Sequence, residues 1–289
     1  MPEVPRIPLG DWFQAVVNWL NDTIGPVFDF IDLVVRSAVD GLTAALLWPP
    51  QWLLVLVLTA LAWWLRGWRF ALFTIIGFGL VAGMREFQPA MQTLALVLVA
   101  AVIAIVVAIP VGILAARERV VRHVVRPVLD LMQTMPAFVY LIPVIFFFNI
   151  GAVPGVVATV IFALPPGVRL TELGIRQVDA EVVEAGEAFG APPRRILTGI
   201  QLPLAMPSIM AGINQVIMLS LSMVVIAGMV GAEGLGTEVY TAVTRVQLGA
   251  GFEAGVAVVV LAVYLDRITA VLADRSPVSR AAEETAPVA

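Results

Sequence analysis

Three stretches of this chain, residues 91–116, 131–168 and 204–232, carry no Asp, Glu, Lys, Arg or His. A helix needs roughly 20 apolar residues to span the hydrocarbon core of a bilayer. Inside lipid the backbone has no water to bond to, so such stretches satisfy their N–H and C=O groups internally, as helices. Composition agrees: 60% of the chain is hydrophobic and 13% is charged, where a soluble domain carries about 25% charged residues. The expected fold class is all-α, a polytopic membrane protein.

Seven candidate spans lie near 49–66, 68–84, 90–116, 130–150, 152–168, 204–232 and 250–272. They divide the chain into an N-terminal extracytoplasmic or interfacial segment (1–48), two first spans (49–87), a core (88–272) and a short polar tail (273–289) expected to be disordered. Within the first segment Ile24, Val27, Phe28, Ile31, Val34, Val35, Ala38 and Leu42 recur at helical spacing, with Asp29, Asp32, Arg36 and Asp40 opposite them. Such an amphipathic helix either lies in the membrane interface, near Trp12, Trp19 and Trp48, or packs against the bundle.

Basic residues set the orientation. All 17 are arginine. If the N-terminus is outside, only Arg6, Arg36, Arg85 and Arg245 fall on the outer side, and the loop 179–203 is cytoplasmic. Residues 1–10 are proline-rich and lack the order of a cleaved signal, so the first span is expected to insert by itself. The chain has no cysteine, which excludes a disulfide framework, a thiolate metal centre and a cysteine nucleophile.

The spans lack what several transport and enzyme classes require. Ion-coupled transporters place ionisable groups at membrane depth, and an intramembrane hydrolase needs a buried acid–base or nucleophile set. Neither is visible. His123 sits among Arg119, Arg122 and Arg126 and reads as a solvated loop residue. Gly231-Ala-Glu-Gly234-Leu-Gly236 lacks the Lys-Ser/Thr of a phosphate loop and reads as a tight extracellular turn. Prolines 110, 136, 143, 165, 166 and 207 lie in or beside apolar segments and are expected to bend helices. Gly79/Gly83 and Gly251/Gly255 have the spacing of close helix contacts, a signal that arises often by chance. No metal or cofactor site is expected, and nothing suggests nucleic acid.

Residues 184–203 have a different texture. Glu184 to Phe189 favours helix, Gly190 suits the left-handed residue that ends one, and Pro192-Pro193 can open a second. The sequence Glu184-Ala185-Gly186 followed by Gly190, then Ile200-Gln201-Leu202-Pro203, resembles the "EAA" loop of ABC-importer permeases, with Gly186 in place of the second alanine. In that family the loop is a coupling helix that docks on a cytoplasmic ATPase. The resemblance implies that Glu184, Ala185, Glu187, Ala188, Phe189 and Gly190 form this contact.

A second resemblance is narrower. The segments Asp130–Pro143, Ile161–Thr171 and Asn214–Gly228 are similar to permease subunits of glycine betaine/proline importers of the ProU type, with a likeness running over about 88–272. It implies the type I ABC-importer permease fold, here with about seven transmembrane helices plus an N-terminal amphipathic helix. It also implies a second copy of the permease, an ATPase that binds the ATP and an extracytoplasmic binding protein. The implied solutes carry quaternary ammonium groups, which suit a path of aromatic, Met and small polar groups without fixed charge. Candidates are Gln133, Met135, Phe138 and Tyr140 on one helix, and Asn214, Met218 and Ser222, which share a face at i, i+4 and i+8, on another. The competing reading is ordinary interhelix contact, which suits Met218 at least as well, whereas Asn214 and Gln133 are favoured for the path because a polar amide facing lipid is costly. An ABC permease for another small solute such as an amino acid, and a passive osmotic channel or scaffold, are the competing expectations.

Overall fold

A computed structural model describes residues 8–274. The tail from 275 onward lies outside the described residues, as does Arg6. Every regular element among the described residues is helical.

Helix α1 (Leu9–Leu47) is broken at Ile24, two residues before Pro26, where φ is −122° and ψ 19°. Proline cannot donate to the helix and its ring crowds the carbonyl four residues back. Pro49-Pro50 ends the element, and α2 (Gln51–Arg66) leaves at 99° to it. Gly67, at φ +83°, then turns the chain into α3 (Trp68–Gly83). The stripe expected over 24–42 packs only in part: Ile24, Val27, Val34 and Ala38 are exposed. Val35 and Val39 are buried in one cluster with Leu96, Val99, Phe148 and Val153, and Phe28, Ile31 and Leu42 pack on it. Phe28 stacks on Phe147 at 4.2 Å. Trp12 and Trp19, by contrast, are exposed.

The core is built from α4 (Phe87–Arg117), α7 (Ala152–Arg176), α10 (Leu202–Ser222) and α13 (Leu248–Asp274). Helix α7 lies between α4 and α10, and small residues set the approach. A Cβ on Gly167 would fall 2.9 Å from both Ala108 of α4 and Val216 of α10. Without a hydrophobic drive between helices in lipid, such close packing is what holds them. Gly79, Gly83 and Gly255 meet nothing within 4 Å, whereas a Cβ on Gly251 would lie 3.3 Å from Cβ of Ala242, so of the two pairs with motif spacing only Gly251 sits at a close approach.

Between α4 and α7 the chain forms α5 (Arg119–Thr134) and α6 (Ala137–Phe148), bent 101° apart at Met135-Pro136. After α7 come α8 (Ala180–Ala188) and α9 (Pro193–Ile196), then a π-helical turn over Leu197–Gln201 that runs into α10. Past α10, α11 (Val224–Met229) and α12 (Leu235–Thr244) form a tight hairpin ahead of α13. Four helical stretches are long and apolar enough to cross a membrane alone: α4, α7, the run from Pro193 to Met229, and α13. The two bent pairs raise the number to six, and α3 is a shorter apolar helix. All seven apolar segments of the sequence are therefore helical, but the span expected at 130–150 is not one helix: it holds the end of α5, the 101° bend and α6, while 49–66 is one leg of the other bent pair.

Candidate coupling loop and translocation path

The loop after α7 is built by local rules. Asp179 caps α8: its Oδ1 accepts a 2.9 Å hydrogen bond from the N–H of Glu181, one of the four donors a helix start leaves unpaired. At the other end Ala191 N–H bonds to the carbonyl of Gly186 at 3.1 Å and Gly190 N–H to that of Glu187 at 2.8 Å. This is the Schellman closure, and it needs the left-handed residue, which Gly190 supplies at φ +74°. Pro193 opens α9 at its first position.

This helix–stop–helix unit presents its charged and apolar tips outward. Glu184, Ala185, Glu187, Ala188, Phe189 and Gly190 are all exposed, and Phe189 is 93% exposed. Gly186 faces inward, where a Cβ would lie 2.8 Å from Cδ1 of Ile200; the small residue lets α8 rest on the π-turn. Beneath α8 a hollow of about 530 Å³ is lined by Arg117, Arg176, Glu184, Glu187 and Ile196, among others.

The residues expected along a path separate into groups. Tyr140 is buried in one apolar cluster with Met223 and Val230, with Met135 packed on it. Its hydroxyl has no hydrogen-bond partner among the described residues. The α5–α6 junction thus meets α10 and α11. Gln133 and Phe138 are exposed beside it. Asn214 turns to α13, where its Oδ1 accepts a 2.7 Å hydrogen bond from the hydroxyl of Thr269. Met218 is half-buried, and its carbonyl accepts the exposed Ser222 hydroxyl at 3.0 Å. One helical face thus holds an interhelix tie at Asn214 and an open position at Ser222.

The sequence reading missed a polar cluster at the end of the bundle that carries α8. Glu172, in α7, is 5% exposed. Its Oε1 accepts hydrogen bonds from Arg126 Nη2 at 3.1 Å and Arg176 Nη1 at 3.4 Å, and forms an ion pair with Arg122, whose Nε is 3.0 Å away. Arg169 pairs with Asp130 alongside. The signal was two charged stripes: 122, 126 and 130 on one helix, 169, 172 and 176 on another. His123 lies off this cluster, exposed, with Nδ1 on the carbonyl of Arg119 at 2.7 Å.

Comparison with known proteins decides the family. Residues 108–276 match the family described as "Binding-protein-dependent transport system inner membrane component". This chain belongs to that family. It is 55% identical, over 93% of its own length and 95% of the relative's, to the glycine betaine transport system permease protein OpuAB of Bacillus subtilis (strain 168). It is 48% identical, over 93% and 96%, to the glycine betaine/carnitine transport permease protein GbuB of Listeria monocytogenes. Its fold resembles a chain of the MetNI methionine ABC transporter, with TM-score 0.57, 23% identity and coverage of 68% of this chain and 95% of that one. The family member is thus a multi-pass membrane permease with the expected type I importer fold.

Proposed function

We propose that this chain is the membrane-spanning permease subunit of an ATP-driven importer of compatible solutes of the glycine betaine, proline betaine and choline type. The reading is carried by one observation: 55% identity sustained over 95% of a permease named for glycine betaine. That length includes the helices around Tyr140 and the loop around Gly190.

In this reading the N-terminus is outside and the α8–α9 loop is cytoplasmic, as the arginine distribution favours. Helix α8 docks on an ABC ATPase, with Glu184, Ala185, Glu187, Ala188 and the bare ring of Phe189 at the contact and Gly190 fixing the turn. ATP is bound by that partner; this chain holds no cofactor and performs no covalent chemistry. A second copy of the chain completes the path, and an extracytoplasmic binding protein delivers the solute. Closing of the ATPase pair draws the two loops together and reorients the bundle.

The path is formed by Gln133, Met135, Phe138, Tyr140, Met218 and Ser222, with Asn214 bracing its wall against α13. A quaternary ammonium group has no N–H to donate and carries a diffuse charge, so aromatic faces and polarisable sulfur suit it. Weak contact is an advantage here, because a tight site inside the path would hold the solute back.

The test is uptake of labelled glycine betaine into vesicles holding this chain, its ATPase and its binding protein. ATP-dependent accumulation, competed by proline betaine or choline, is the expected result. ATP hydrolysis without uptake would move the assignment to another small solute, and equilibration without ATP would make the chain a passive channel.

A further inference from the structure

Helix α5 meets the bundle through a narrow apolar seam flanked by charge. Of its 16 residues only Leu129 is buried, against Ala108, Leu164 and Val168, with Val125 and Met132 half-buried on the same cluster. Beside this seam the contact is polar and antiparallel: Arg122 and Arg126 reach Glu172, and Asp130 reaches Arg169 one turn earlier on α7. Arg122 also donates to the carbonyls of Ala115 and Ala116, at 3.1 and 3.2 Å, in the last turn of α4. Those carbonyls lack partners inside their helix, and the helix end carries partial negative charge. One buried carboxylate therefore ties together the ends of α4, α5 and α7.

The position of this tie gives it a use. Arg176 contacts Glu172 and also lines the hollow beneath α8. On the other side, α5 leads directly into the Met135-Pro136 bend and the cluster around Tyr140. A guanidinium that joins the hub and faces the hollow beneath α8, and a helix held by the hub and joined to the path, place the hub between the loop and the path. We propose that Glu172 is a positioning residue that sets where α5 lies across the mouth of the path, and that Arg176 passes movement of the α8 loop to it. The proposal rests on the transport reading above.

The chemistry favours a switchable tie. Three guanidiniums share one oxygen, so the cluster keeps a net positive charge that the single carboxylate only just holds in place. Removing that charge leaves arginines that repel one another across α5 and α7. The outer Asp130–Arg169 pair is exposed and adds little by itself, whereas Glu172 is shielded from water and salt.

Because the chain has no cysteine, Gln133→Cys gives a single reporter at the mouth. The experiment measures its labelling rate with a water-soluble maleimide in the assembled transporter, and uptake per ATP hydrolysed in the same variants without the cysteine. Glu172→Gln should keep the shape but raise the labelling rate several-fold and lower uptake per ATP several-fold. Glu172→Asp should recover part of both. Asp130→Arg should shift both readouts in the same direction, and adding Arg169→Asp should reverse the shift. The labelling arm does not depend on which solute is carried, so failure of the betaine reading would leave it standing. Unchanged labelling and coupling in Glu172→Gln would overturn the proposal. If that variant does not assemble, Glu172→Asp decides: labelling and coupling unchanged from wild type would overturn it equally.

Discussion

The backbone N–H of Leu235, at the first residue of α12, donates a 2.8 Å hydrogen bond to Oγ1 of Thr93, 142 residues earlier in α4. Both residues are buried. Thr93 thus caps a helix other than its own, and only glycine fits before it: a Cβ on Gly234 would lie 2.5 Å from that oxygen. Thr93→Val keeps the shape and strands the amide, at a cost of about 1–3 kcal/mol. Thr93→Ser keeps the acceptor and gives up one methyl, about 0.8 kcal/mol. Thermal unfolding in detergent should therefore rank wild type above Ser and Ser above Val. A Val variant as stable as the Ser variant would mean that the amide has found another partner.

Close contact between α4 and α7 gives a second expectation. A Cβ on Gly112 would fall 2.6 Å from Cβ of Thr171 and 2.8 Å from the carbonyl oxygen of Val168. The obstacle includes backbone, so Gly112→Ala must push the helices apart, at about 1–3 kcal/mol for overpacking. Gly79→Ala is the control, since nothing lies within 4 Å of its Cβ position and alanine favours helix by about 0.5–1 kcal/mol. The two substitutions should shift the unfolding midpoint in opposite directions.

These cases show what was legible beforehand. The uncharged blocks announced the helices, because lipid leaves the backbone no alternative. Gly190 announced its turn, because a left-handed residue has few substitutes. The contacts that set helix spacing were not legible: Gly112 and Gly167 matter because of which helices they face, and no local pattern records that. Arg122, Arg126 and Glu172 had the same difficulty. Read singly, the arginines mark the side of the membrane, and only antiparallel packing of α5 on α7 makes them partners of one carboxylate. For Asn214 the spacing with Met218 and Ser222 defined a face correctly, while its bond to Thr269 depends on where α13 lies.

The α8 tip separates stability from coupling. Phe189 is almost fully exposed, so Phe189→Ala should change unfolding by no more than about 0.5 kcal/mol. If the ring is an anchor for the ATPase, its loss costs about 2 kcal/mol of association, on the order of 30-fold in affinity by the usual conversion. Gly190→Ala forces a side chain into the left-handed region at about 1–2 kcal/mol and misdirects the whole tip. Both variants should reach the membrane in normal amounts, bind the ATPase poorly in pull-down and lose uptake. Full ATPase binding by Phe189→Ala would place the contact elsewhere on the loop.

Glu86, in the turn between α3 and α4, makes stability depend on pH. Burial, then the charges of Glu238 and Glu253, hold its carboxyl above the usual carboxylate range, and its Oε2 has no hydrogen-bond partner among the described residues. A raised pKa means that the folded state binds the proton more tightly than the unfolded chain does. Below the ordinary carboxylate pKa both states are protonated and the residue imposes no penalty. As pH rises through the interval up to the raised value, the unfolded state ionises first and folding loses stability; above that interval the penalty is complete. Glu86→Gln removes the titration, so it should stabilise the protein at neutral pH and give progressively less benefit on acidification. The check is the unfolding midpoint of both proteins across pH in detergent. Parallel profiles would show that the carboxyl is solvated well enough to ionise normally, and would leave Glu238 and Glu253 without electrostatic influence on it.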